Sequence, residues 1–190
     1  MADTQSVKGI ISAAQGKAAG LSYTNLSRLV KSGALERVAR GVYEAADALD
    51  DVLYIEQLRR PKLVYSHGTA LYLHDLTDRD PLAFSVTVPT GYNTKTLLNE
   101  GFKVFSIKPE LYETGLIKVY TKYENLVTTY DMERTICDVV RSRNRIDAEI
   151  VVTALKRYVR RKDKSVHLLM RTAEMFGVAK LMRTYMEVLL

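Results

Sequence analysis

LSYTNLSRLVKSG, residues 21–33, reads as a short helix with a defined start and stop. Ser22 is placed to cap it, because a serine hydroxyl accepts from backbone N–H groups that the first turn leaves unpaired. Leu26, Leu29 and Val30 recur at i, i+3, i+4 and share one face. Gly33 ends the run, as glycine takes the left-handed conformation of a helix end without strain. At about 100° per residue, Thr24, Ser27, Arg28 and Lys31 fall opposite that apolar face. Asn25 flanks the polar side and Tyr23 sits at its edge.

The neighbours on both sides give this helix a context. Upstream, Ser12-Ala-Ala-Gln15 fits the S-x-x-Q capping box, which predicts a helix of about seven residues closing at Gly20. Helix, tight glycine turn, helix is a helix-turn-helix arrangement. Downstream, ALERVARGVYEA predicts a β-hairpin with arms Leu35–Val38 and Val42–Ala45 and Arg40-Gly41 at its tip. A basic hairpin beside a recognition helix is a wing, and its Arg37 and Arg40 suit the minor groove or the phosphate backbone.

The chemistry of the polar face fits DNA. Arginine forks onto guanine edges and asparagine onto adenine, while serine and threonine serve bases or phosphates. Arg28, Asn25, Thr24, Ser22 and Ser27 supply these groups, and Lys31 near the helix end is better placed for phosphate. Unpaired N–H groups at the helix start add a further phosphate contact. Taken alone, the helix could equally be a solvated surface helix. The capped helix before it and the basic hairpin after it together favour a winged helix-turn-helix.

Charge is distributed unevenly over the 190 residues, whose net charge is +6. Residues 1–46 hold six Lys/Arg against three Asp/Glu, residues 47–140 ten against fourteen, and residues 141–190 twelve against five. Two basic ends around an acidic middle favour polyanion contacts at either end. In the C-terminal part, Arg141, Arg143 and Arg145 precede a predicted helix whose Lys156, Arg157, Arg160 and Arg161 lie off its apolar stripe. These residues form either a second phosphate-tracking surface, for DNA or RNA, or simply the wet faces of the final helices.

No apolar run is long enough to span a bilayer, so no membrane contact is expected. MADTQSVKG lacks the basic-then-apolar pattern of a signal peptide. The single cysteine, Cys137, excludes an internal disulfide and a multi-cysteine metal site. Together these predict a cytoplasmic protein with no cofactor and no metal.

The small, acidic stretch EAADALDD, residues 44–51, marks the predicted boundary between a winged helix-turn-helix domain, 1–46, and a second domain, 47–190. The second domain reads as α+β. A helix over Asp51–Arg59 is followed by strand candidates at 63–66, 84–88, 102–107 and 116–122, rich in Val, Ile, Phe and Tyr. Helix candidates at Thr69–Leu76 and Thr94–Asn99 lie between them. From Met132 the pattern is wholly helical: Met132–Arg141, Asp147–Arg161, Val166–Phe176 and Val178–Leu189.

Signals for catalysis are weak. His67 and His74, seven apart, lack a third ligand at metal spacing, and His67 is expected to cap or pack at a strand-to-helix turn. Cys137 sits among apolar residues and reads as a small buried hydrophobe. Glu133 with Arg134, and Asp138 with Arg141, read as helix ion pairs rather than as a catalytic acid pair. No phosphate-binding glycine loop or nucleophile elbow is present, so no enzymatic activity is expected.

Four stretches carry a resemblance to a known family: residues 9–43 (GIISAAQGKAAGLSYTNLSRLVKSGALERVARGVY), LVYSHGTALYLHDLTDRDP, FSVTVPTGYN and YDMERTICDVVRSRNRID. They resemble the AbiE-type antitoxins of bacterial type IV toxin–antitoxin and phage abortive-infection systems. The resemblance implies an N-terminal winged helix that represses the protein's own operon by binding inverted repeats in its double-stranded promoter DNA. It also implies a C-terminal α+β domain that opposes a cognate nucleotidyltransferase-like toxin without forming a stable complex with it. Ser22 to Lys31 match the recognition helix, and Arg37 to Gly41 the wing. One departure is that only eight residues precede Gly9, so the usual first helix is one or two turns, or the true start lies upstream. The alternative function is a small-molecule-responsive transcriptional regulator.

Overall fold

The computed structural model describes residues 9–189, so the short helix expected before Gly9 lies outside the described residues. The chain divides into two compact units: the described residues up to Lys62 together with Tyr120–Val127, and Leu63–Val119 with the residues from Thr128 onward. The fold is α+β, as the sequence predicts.

In the first unit, β1 (Ile10–Ser12) leads into α1 (Ala13–Ala18) and α2 (Tyr23–Lys31), then β2 (Leu35–Ala39), β3 (Val42–Ala45) and α3 (Val52–Arg59). Local chemistry sets each boundary. The Gln15 N–H donates to Ser12 Oγ at 3.1 Å while the Ser12 N–H donates to Gln15 Oε1 at 2.7 Å, closing the capping box. Gly20, at φ +84°, turns the chain out of α1. Asn25 N–H donates to Ser22 Oγ at 3.2 Å and fixes the start of α2. The hairpin arms lie where expected, with β2 one residue longer.

β1 is a strand that three residues of sequence do not announce. It pairs antiparallel with β3, with Ile10 opposite Glu44, so β3 is the centre of a sheet ordered β1-β3-β2. Alternate residues of β3 serve two clusters, as strand geometry requires. Tyr43 and Ala45 pack with Leu26 of α2 and Leu35, whereas Val42 packs with Ile10 and Ile55 of α3. Helix α3, which follows the expected domain boundary, thus shares a core with the first sheet. Asp51 caps α3 through the Tyr54 N–H at 3.2 Å, and its other oxygen accepts from Thr121 and from Asn125 Nδ2 at 2.9 Å.

The second unit is built on a sheet ordered β6-β5-β4-β8-β7. Its strands are β4 (Val64–Tyr65), β5 (Ser85–Pro89), β6 (Lys103–Ile107), β7 (Leu116–Tyr120) and β8 (Leu126–Tyr130). β5 runs antiparallel to β4 and parallel to β6, and β4 runs parallel to β8. Short helices α4 (His67–Leu73), α5 (Lys95–Asn99) and α6 (Pro109–Tyr112) connect the strands. Strand β8 and helix α6 are not among the predicted elements, and α4 starts two residues earlier than expected.

The helical end agrees closely with its periodicity: α7 (Met132–Arg141), α8 (Ala148–Arg160), α9 (Val166–Met175) and α10 (Ala179–Leu189), with a 3-10 turn at Arg143–Arg145. These helices enclose the larger core, in which Ile136, Val139, Val140, Leu155, Leu169 and Met182 pack together. Helix α7 is central. Every residue from Glu133 to Val140 is buried, polar ones included. A helix buried on all sides has no wet face on which to leave its charges.

Candidate nucleic-acid interface

Helix α2 separates its residues by face. Leu26 is 1% exposed and anchors the helix, with Leu29 and Val30 half-buried beside it. Ser22, Thr24, Ser27, Arg28 and Lys31 are exposed, Tyr23 is 70% exposed, and Asn25 is half-buried. The first turn carries no acidic residue, so no side-chain carboxylate there competes with an incoming phosphate for the positive end of the helix. On the hairpin, Arg37 lies on β2 and Arg40 at the tip, both exposed. Among the described residues, none of Arg28, Lys31, Arg37 and Arg40 is in an ion pair. Exposed and unpaired cations keep their charge available for an external polyanion.

The basic residues of the second unit are deployed differently from one another. Lys156 and Arg160 are exposed on α8. Arg157 pairs with Asp78 and also donates to the Asp75 carbonyl at 3.4 Å. Arg161 forks onto Asp163 with two contacts of 2.8 Å, which holds that carboxyl below its ordinary value. Arg143 donates to the Val140 carbonyl at 3.2 Å. Arg145 lies over the Phe105 ring, and Arg141 and Arg145 both line a small cavity. The C-terminal cations are therefore partly neutralised on their own surface.

The charged residues of α7 pair otherwise than their spacing predicts. Arg134 bonds Asp138 one turn on, at 2.9 Å, rather than Glu133, and Arg141 is exposed rather than paired with Asp138. Glu133 instead accepts from the Tyr158 hydroxyl at 2.9 Å and the Ser165 N–H at 2.8 Å. The helix has no wet face over these residues, so Arg134 pairs one turn on within α7 and Glu133 takes its partners from neighbouring elements. Arg134 also donates to the Leu111 and Thr114 carbonyls at 2.9 and 2.8 Å, between the rings of Tyr130 and Phe176. Burial raises the Asp138 carboxyl to about 6, against the pull of Arg134.

His67 packs at the strand-to-helix turn, stacked on Phe105 with ring centroids 3.4 Å apart. Its Nδ1 is 2.9 Å from Ser66 Oγ and its Nε2 is 3.0 Å from Ser142 Oγ. Burial first, then Arg134, Arg145 and Arg141, push its pKa well below the ordinary value, so the ring is neutral. His74 takes a separate partner, the Tyr130 carbonyl at 2.7 Å. Cys137 is fully buried, and burial pushes its thiol up to about 12. A thiol held protonated in this way is a poor nucleophile. Among the described residues no three His, Cys, Asp or Glu side chains gather as metal ligands, and no helix is long and apolar enough to cross a membrane.

Comparison with known proteins adds two findings. The fold is similar to the crystal structure of the RV2827C protein from Mycobacterium tuberculosis, with a TM-score of 0.56 and 13% identity. That match covers 87% of this chain and 66% of the other, so this chain spans just under two thirds of that protein. No curated protein matches the chain. Residues 4–46, which include α1, α2 and the basic hairpin, match the family described as "Transcriptional regulator, AbiEi antitoxin", the family whose motifs the sequence resembles.

Proposed function

We propose that the protein is an antitoxin that also regulates transcription by binding DNA through a winged helix-turn-helix in its first unit. Helix α2 is the recognition helix, with Thr24, Asn25, Ser27 and Arg28 toward bases and Ser22, Tyr23 and Lys31 toward the backbone. The β2–β3 hairpin is the wing, with Arg37 and Arg40 on phosphate or in the minor groove. One observation carries this reading most: the polar face of α2 is exposed while its leucine side is buried, and its cations have no partner among the described residues. The family match over the same residues supports it.

The target is double-stranded operator DNA with inverted repeats in the protein's own promoter. The second unit opposes a cognate nucleotidyltransferase-like toxin in the cytoplasm, without a stable complex. Of the cations expected on a second polyanion surface, Arg141, Lys156 and Arg160 are exposed and in no ion pair among the described residues. This reading includes no catalytic step. Binding of labelled promoter DNA tests it. Lys31→Ala is expected to weaken all sequences alike and to lower the salt slope by about one unit.

A second reading, a regulator that responds to a small molecule, draws on the cavity in the second unit. Loss of operator binding on adding a ligand would favour it.

A further inference from the structure

Arg134 is 0% exposed, and its Nη2 has no hydrogen-bond partner among the described residues although its other nitrogens are satisfied. Leaving a charged N–H unpaired inside a protein is costly, so an unsatisfied guanidinium nitrogen calls for a partner. Arg134 lines a cavity of about 70 Å³ within the second unit. The size suits one small oxyanion at the cavity floor.

The walls suit an anion too. His67, Thr87 and Asp138 are buried in them, while Arg141, Arg145 and Ser106 are exposed. Three guanidiniums thus face one carboxylate, and that carboxylate is already engaged by Arg134 Nε. Its partners hold His67 in a strained backbone: its φ of +48° lies in the left-handed region that non-glycine residues rarely adopt. Thr87 donates to Ser66, and Ser66 lies on His67 Nδ1. Because Ser66 Oγ accepts from Thr87, its own hydroxyl hydrogen can point to His67 Nδ1; in that tautomer Nε2–H donates to Ser142 and the Ser142 hydroxyl hydrogen is left for the cavity.

We propose that this cavity binds a phosphate-type oxyanion, either free phosphate or the phosphate of a small phosphomonoester. Arg141 and Arg145 hold it at the mouth, with Ser106 and Ser142 as neutral donors, and the buried Arg134 adds its positive charge from beneath. The site is separate from the DNA-binding reading, since its lining lies in the second unit and includes no residue of α2 or of the hairpin.

The test is calorimetric titration and thermal denaturation of the full chain with inorganic phosphate, adenosine monophosphate and adenosine, at ionic strength held constant with sodium chloride. Phosphate or the monophosphate should bind saturably and raise the unfolding temperature, with adenosine inert. A monophosphate that binds tighter than phosphate identifies a nucleotide ligand, and equal binding identifies phosphate itself. The double variant Arg141→Ala/Arg145→Ala, whose side chains are exposed, should weaken binding at least tenfold, whereas Arg143→Ala, outside the cavity, should not. No saturable binding of either anion, unchanged binding in the double variant, or an equal loss in Arg143→Ala would overturn the proposal.

Discussion

Helices α2 and α7 are nearly equal in length, and each is capped by a side chain, Ser22 or Asp131, accepting from the third residue of the helix. They use arginine in opposite ways. On α2 one residue is buried, and Arg28 stands in solvent without a partner among the described residues. On α7 eight consecutive residues are buried, and Arg134 lies between two rings with a carboxylate and two carbonyls. An arginine is thus an external probe or an internal fastener according to whether its helix keeps a wet face. Only the first kind is free to read DNA, and only the second holds the fold.

The largest effect that could break this contrast is on Arg134. Arg134→Ala strands the buried Asp138 carboxylate, and removing one partner of a buried pair costs about 3–5 kcal/mol. Urea unfolding should show that loss in the second unit. A change below about 1 kcal/mol would mean that Arg134 does not fasten the core. Gly115 sharpens the same point. At φ +74° it sits where an added Cβ would lie 2.9 Å from Arg134 Cβ and from Asp131 Oδ2. Gly115→Ala should cost about 2 kcal/mol or more by backbone strain and by pushing on the start of α7. A melting temperature equal to that of the wild type would contradict the close packing there.

Arg28→Ala belongs to the other side of the contrast. It should leave stability within about 0.5 kcal/mol, as for an exposed residue without partners, and act only on DNA binding. The smallest effect concerns Glu44 in the first unit, which lies opposite Glu36 and has a buried, unpaired Oε1. Burial, then Asp50 and Glu36, raise its pKa above the ordinary 4.5. The folded state therefore binds this proton more tightly than the unfolded state. Stability from this group is highest below pH 4.5 and falls as pH rises through the raised value. Glu44→Gln should add about 0.2–1 kcal/mol at neutral pH, the scale of one cross-strand charge pair. Loss of stability in that variant would show that the carboxylate has a favourable role.

Much of the first unit could be read from sequence because its signals are local. Ser12, Gln15, Gly20, Ser22 and Gly33 fix both helices within a few residues, and the α2 face follows from helical spacing. The same holds for the helical C-terminal part, where α7 was placed to the residue. Strand β1 is not legible, since it owes its state to a partner distant in the chain, β3, and β8 lies between its local neighbour β7 and the distant β4. The cavity was hidden for the same reason. Spacing offered Arg134 and Glu133 as neighbours, but the i, i+4 pair Arg134 and Asp138 was the usable signal. His67, Thr87 and Ser106 meet them only through the fold.

The most direct measurement is fluorescence anisotropy of wild type and Arg28→Ala on labelled DNA from the protein's own promoter and on a scrambled duplex, at one fixed salt concentration. If α2 reads bases, Arg28→Ala weakens promoter binding by roughly 1–3 kcal/mol and scrambled binding by less. Equal promoter affinity for the two proteins would contradict the assignment of α2 as the recognition helix.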